Sequence, residues 1–252
     1  MANEVSILDR YGIKEVADVT FYELDAAGNP GAPVLYLDTL KVSTIEQTAE
    51  STDARGGKGN AALITWDYGK EITVTLEDAL YSPKSLAMMF GDVDGNGNPA
   101  PGTTASALRK TVRVKDATKT TDGYSVEVNG KTITLTGCTL YQADGSTTTD
   151  AASAEYITGV FTPAKAFTID IDANTFPGTY YITGDTYARN ENSGKDDFFQ
   201  FIISKAKVLS EVTLTMEAEG DPSTFSMNLK VLRPADGQMM KLVKYSLPES
   251  ST

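Results

Sequence analysis

Apolar and polar positions alternate with a period of two along most of this chain. The most regular run is Lys70–Glu77, where Ile72, Val74 and Leu76 alternate with Thr73, Thr75 and Glu77. That pattern predicts a strand with aliphatics buried and threonine and glutamate toward solvent. Ala62–Tyr68, with Leu63, Ile64 and Trp66, precedes it across Tyr68-Gly69 and reads as part of the same β region. Further extended segments are expected at Val16–Leu24, Val34–Leu40 and Val42–Gln47, the first two forming a hairpin around Ala26-Ala27-Gly28-Asn29-Pro30-Gly31. In the second half, Ala166–Ile171, Gly178–Thr183, Phe198–Ser204, Glu211–Ala218, Phe225–Leu232 and Met239–Tyr245 all read as strands.

One segment breaks this period. In Tyr81–Phe90, Leu86, Met89 and Phe90 fall at helical spacing. Ser82 suits the N-cap, Pro83 the first helical position and Gly91 the left-handed residue that ends a helix. Two turns are too few to stand alone, so this helix should pack against a sheet.

Glycine and polar residues mark the connections. Glu50–Asn60, with Gly56-Gly57-Lys58-Gly59-Asn60, is expected to be a mobile loop. Gly91–Ser106 is rich in turns. Val112–Lys115, Tyr124–Val128 and Lys131–Leu140 are predicted strands, and Asn129-Gly130 is a type I′ signal that should pair the last two. Asp144–Ser153 is a polar loop. The fold class expected is all-β, with sandwich- or barrel-like antiparallel sheets, one short flanking α-helix and a β-rich insertion. Residues 1–90 and 157–252 would form the main β domain, and 91–156 an inserted subdomain or decorated loop.

Composition narrows the chemistry. The 252 residues include no histidine and one cysteine. That removes the commonest general base, the usual serine-triad partner and the usual zinc ligand. Cys138, inside a strand-like run, reads as a buried structural thiol. The net charge of −12 argues against binding nucleic acid through released counterions. The amino terminus has no basic start followed by a long apolar run, so synthesis in a cytoplasm is expected. No apolar run is long enough to predict a membrane helix.

Four patterns invite a chemical reading. Gly56–Asn60 lacks the Gly-x-x-x-x-Gly-Lys-Ser/Thr spacing of a phosphate loop and opens no helix. Asp92, Asp94, Asn96 and Gly97 match the start of a calcium loop, but Thr103 stands where its closing carboxylate belongs, so a turn cluster is the reading taken. Asp170, Asp172, Asp185, Asp196 and Asp197 could supply a carboxylate pair for glycoside hydrolysis, yet nothing in the spacing sets two of them opposite each other. Phe176, Tyr180, Tyr181, Tyr187, Phe198, Phe199 and Phe201 suit a core or a subunit interface better than a sugar platform. No catalytic, cofactor-binding or metal-ligating residue is therefore assigned, and no cofactor is expected.

Two blocks resemble phage tail tube proteins. One runs from Gly59 through Trp66-Asp67-Tyr68-Gly69 and Glu71–Leu80 into Ser82-Pro83-Lys84-Ser85-Leu86. The other runs from Phe199-Gln200-Phe201 through Glu211–Pro222 to Phe225–Arg233. The resemblance implies a non-enzymatic virion protein, made in the host bacterium, whose hexameric rings stack into a tail tube. It implies that residues 50–60 reach the neighbouring ring. It also implies other tail proteins as partners: sheath or tape measure, baseplate and terminator. DNA would pass through an acidic lumen without specific binding, and no membrane would be involved. The alternative is a β-sandwich capsid decoration or carbohydrate-binding adhesin, which would be a monomer or trimer with an exposed aromatic patch.

Overall fold

Alternation becomes ladder in a computed structural model of the chain that describes residues 9–214 and 224–247. Its strands are β1 (Tyr11–Ile13), β2 (Asp18–Leu24), β3 (Pro30–Leu37), β4 (Leu40–Gly56) and β5 (Ala61–Asp78). After helix α1 (Pro83–Phe90) come β6 (Leu108–Arg113), β7 (Ala117–Lys119), β8 (Tyr124–Val128), β9 (Lys131–Tyr141), β10 (Thr147–Thr148) and β11 (Tyr156–Phe161). The last four are β12 (Thr179–Asn190), β13 (Asp196–Val208), β14 (Phe225–Val231) and β15 (Met240–Tyr245). The expected all-β class with one short helix is observed. No described helix is long and apolar enough to cross a membrane.

The chain divides into two compact units, residues 1–101 with 169–252 and Gly102–Thr168. The first holds a nine-stranded antiparallel sheet in the order β3-β2-β12-β13-β14-β5-β4, with β1 also on β12 and β15 also on β13. Strand β13 forks the sheet: Phe198–Ile203 pair with β15, and Ala206–Val208 pair with β14. Val19 and Phe21 from one side of the fork and Val74, Leu76 and Leu229 from the other enter a single buried cluster. Each such side chain, fully buried, contributes about 1.5–3 kcal/mol.

Helix α1 covers this core as its sequence predicts. Ser82 and Ser85 form a reciprocal capping box, and Gly91 closes the helix at φ 80°. Met88 and Met89 are buried in the cluster, with Leu86 packed at its margin.

Unit Gly102–Thr168 has its own sheet, β6-β11-β9-β8-β7 with β10 beside β9, around Tyr124, Val126, Leu135 and Ile157. Asn129 and Gly130 both take positive φ at the β8–β9 turn, as the type I′ reading requires. In β9 an extra residue enters at Gly137 (φ 56°) and Cys138, opposite Gly159. A Cβ on Gly159 would stand 2.8 Å from the Cys138 sulfur. The thiol fills that space and is half-buried, not fully buried as expected; burial raises its pKa.

Several boundaries differ from the sequence reading. The inserted unit is Gly102–Thr168, not 91–156. Residues before it are tied into the first unit: Asn98 Nδ2 donates to Glu23 (2.8 Å) and the Asp170 amide to Asp92 (3.1 Å). Tyr156–Phe161, in turn, pairs with β6 and β9. Ala166–Ile171 is not a strand; only Thr168 bridges, to Gly102. Lys115 lies in a single 3-10 turn, Val114–Asp116, after β6. Glu211–Leu214 is not a strand, and the rest of the predicted Glu211–Ala218 lies outside the described residues.

Strand β12 makes a tight approach in the core of the first unit. Gly184 pairs with Phe201 of β13, and a Cβ there would stand 2.1 Å from the Phe201 ring. The ring lies over the bare glycine backbone. Gly184→Ala should therefore overpack the core and destabilise the protein by about 1–3 kcal/mol. Chemical denaturation checks this, and an unchanged midpoint would show that the ring does not depend on that gap.

Candidate functional site

The aspartates singled out in the sequence are engaged in separate local contacts. Asp196 is held in a two-bonded pair with Arg189 (2.7 Å for each bond). Asp197 pairs with Lys244 at 2.6 Å, and Asp185 accepts from Gln200 at 2.8 Å. Asp172 caps its own turn by accepting the Asn174 amide, and Asp170 offers its amide to Asp92. The carboxylates of Asp172, Asp185, Asp196 and Asp197 thus each have a different partner. Among the described residues no group of three or more His, Cys, Asp or Glu could hold a metal ion.

The Asp92–Asn98 segment is a stitched turn. Asp94 Oδ1 accepts the amides of Asn96 (2.8 Å) and Asn98 (3.0 Å), and these bonds hold its carboxyl below the usual range. The buried Tyr180 hydroxyl donates to Gly97 O at 2.5 Å, fastening the turn to β12. Burial, helped by the nearby Asp94 charge, pushes the Tyr180 phenol up to about 12.

The most unusual surface is the β4–β5 hairpin. Its inner half belongs to the sheet: β14 pairs with Thr73–Asp78, and Ile72, Val74 and Leu76 are buried. From Gly69 outward β5 has only β4 as a neighbour. Seven ladder pairs, from Glu50↔Tyr68 to Gly56↔Ala61, extend beyond the body as a two-stranded arm. At roughly 3.3 Å per residue that arm projects about 23 Å. Glu50–Gly56, expected to be a mobile loop, is thus ordered strand. Only Gly57-Lys58-Gly59-Asn60 turns, with positive φ at Gly57, Gly59 and Asn60.

The two faces of the arm differ. On one, Asp53 accepts from Arg55 (2.6 Å) and from Thr65 (2.8 Å). The opposite face carries Ile64, Trp66 and Tyr68, each more than half exposed, with Leu63 at a bulge beside them. The expected β region is observed here, but its apolar side chains are not buried. A two-stranded ribbon is marginally stable alone in water, and a contiguous exposed apolar patch marks a contact surface. The aromatic cluster divides likewise: Tyr180 and Phe201 are core, Phe198 stacks on Tyr245, and Phe176 is exposed.

Charge is partitioned between the units. From 102 to 168, seven Lys and Arg stand against six Asp and Glu, a net +1. The remainder has fifteen against twenty-eight, a net −13, so all of the excess acidity lies outside the inserted unit.

Compared with known families, residues 11–244 match the YomU/Tube protein family, in agreement with the tail tube resemblance carried by Gly59–Leu86 and Phe199–Arg233. No curated protein matches the chain.

Two outcomes follow from this geometry. The Tyr180 pKa is raised on folding, so its stabilising contribution is complete below pH 10 and is lost as pH rises toward 12. Tyr180→Phe should cost about 1 kcal/mol at neutral pH through the lost hydrogen bond, yet lose less stability than the parent between pH 10 and 12. Denaturant midpoints at several pH values check both statements. Separately, replacing residues 51–67 with Asn-Gly should shift stability by no more than about 0.5 kcal/mol, because no buried side chain lies in that stretch. A collapse of the thermal transition would show that the arm supports the core.

Proposed function

We propose that this chain, which belongs to the YomU/Tube protein family of phage tail tube proteins, self-assembles into hexameric rings that stack as the tail tube through which the genome passes. The protein is then structural and non-enzymatic, made in the host cytoplasm and resident in the virion tail. Other tail proteins would meet it at the ends and along the tube.

The observation that carries the assembly reading is the arm, whose apolar face has no cover among the described residues of its own unit. Contact between copies supplies that cover. The sheet edges favour the same reading. Strand β4 ends the ladder with an open edge and no proline over Leu40–Gly56, while the opposite edge, β3, carries Pro30 and Pro33. An open edge invites a strand from another chain, and proline blocks one. Ring formation would consume the open edge.

The charge partition supports a conduit. A lumen lined by the acidic unit repels phosphate, so DNA slides without adhering. The near-neutral inserted unit would then decorate the tube away from the DNA path.

Negative-stain electron microscopy of the concentrated protein tests the reading. Rings or hollow tubes, with a channel wide enough for duplex DNA, are the expected result. Dispersed monomers at every concentration and salt condition would overturn it.

A further inference from the structure

A second apolar surface in the same unit is as poorly covered as the arm. It is a groove of about 290 Å³ between the end of α1 and the segment that leads into β12. Phe90, Ile171, Phe176 and Val212 line it, and Ile171 and Phe176 are 69% and 59% exposed. The groove is built firmly. Gly91 sits against the backbone of Thr175 and Phe176 and the Pro177 ring, so closely that a Cβ would stand 3.1 Å from all three. Its walls are therefore fixed by the helix end rather than free to collapse inward.

We propose that the arm of one copy seats in this groove of another copy, with Trp66 as the anchoring side chain and Ile64 and Tyr68 flanking it; the inference rests on the self-assembly reading above. Size favours this pairing. The volume is at the low end of cavities that accept small organic groups, about 300–1,000 Å³, so it suits one large aromatic ring with a flanking aliphatic. Two other concavities in the same unit fit less well. One of about 10 Å³ is too small for a ring, and one of about 660 Å³ is walled by the polar turn Asp25–Asn29 together with Lys205 and Asp236. Geometry favours it too. An extended arm and a groove on different parts of one surface make a heterologous contact, which propagates from copy to copy instead of closing as a dimer. An apolar contact also suits copies that repel each other through a net charge of −12 each.

Site-directed disulfide trapping tests the contact. In a Cys138→Ser background, Ile64→Cys on the arm and Ala173→Cys on the groove wall are combined in one chain. Oxidation of the assembled protein should give a ladder of covalent multimers. Ile64→Cys alone, and Ile64→Cys with Leu242→Cys on β15, should give none. Trp66→Ala should raise the concentration needed for assembly about tenfold while leaving the thermal transition of the monomer unchanged, since Trp66 touches no core. Wild-type tubes without the Ile64/Ala173 ladder, or with Trp66→Ala assembling as wild type, would overturn the contact and leave the tube reading standing. A wild-type protein that never assembles, with no ladder, would overturn both.

Discussion

At Gly69 the β5 backbone takes φ 61°, and two residues, Gly69 and Lys70, stand opposite the single Ala49 of β4. This bulge governs what the longest hairpin in the molecule can do. Apolar residues occupy even positions on both sides of it: Ile64, Trp66 and Tyr68 outward, Ile72, Val74 and Leu76 inward. Unbroken alternation would place all six on one face. The extra residue reverses the alternation, so the ladder partners of the outer three are Ala54, Thr52 and Glu50, while Ile72 faces Gln47. One continuous strand thereby buries its apolar side chains in the core over its inner half and leaves them exposed on the opposite face over its outer half. Glycine suits the position because left-handed φ is strained for other residues.

The inserted unit uses a bulge for a different end. At Gly137-Cys138 the bend lets β9 pair with β8 over its first half and with β11 over its second. A small core of four large side chains can then be enclosed by short strands. The unit's seven Lys and Arg nearly balance its six Asp and Glu, whereas the rest of the chain carries a net −13.

Local signals were legible in the sequence where one residue type satisfies one backbone need. Ser82, Pro83 and Gly91 fixed the helix, and Asn129-Gly130 fixed a hairpin, because each answers a conformational requirement that few residues meet. The alternation of β5 was legible too, but not the destination of its outer half. Period-two patterning reports that a face is apolar and is silent on whether the cover comes from the same chain. Trp66 therefore reads like a core residue. Gly69 within a long regular strand was the available hint. The glycine-rich stretch before Asn60 misled in the opposite direction, since its flexibility is confined to four turn residues while the ladder imposes order on Glu50–Gly56. Ala166–Ile171 had strand composition but found no partner strand, and composition alone does not supply hydrogen bonds.

The arm also constrains how this chain can change over evolutionary time. Lengthening or shortening it by one residue in each strand would exchange its faces, putting Asp53 and Arg55 on the side that Trp66 now occupies. Steps of two residues per strand preserve the faces and move the tip by about 7 Å. Viable insertions and deletions should therefore come in multiples of two per strand. The hairpin acts as a graduated ruler whose smallest division is set by the pleat.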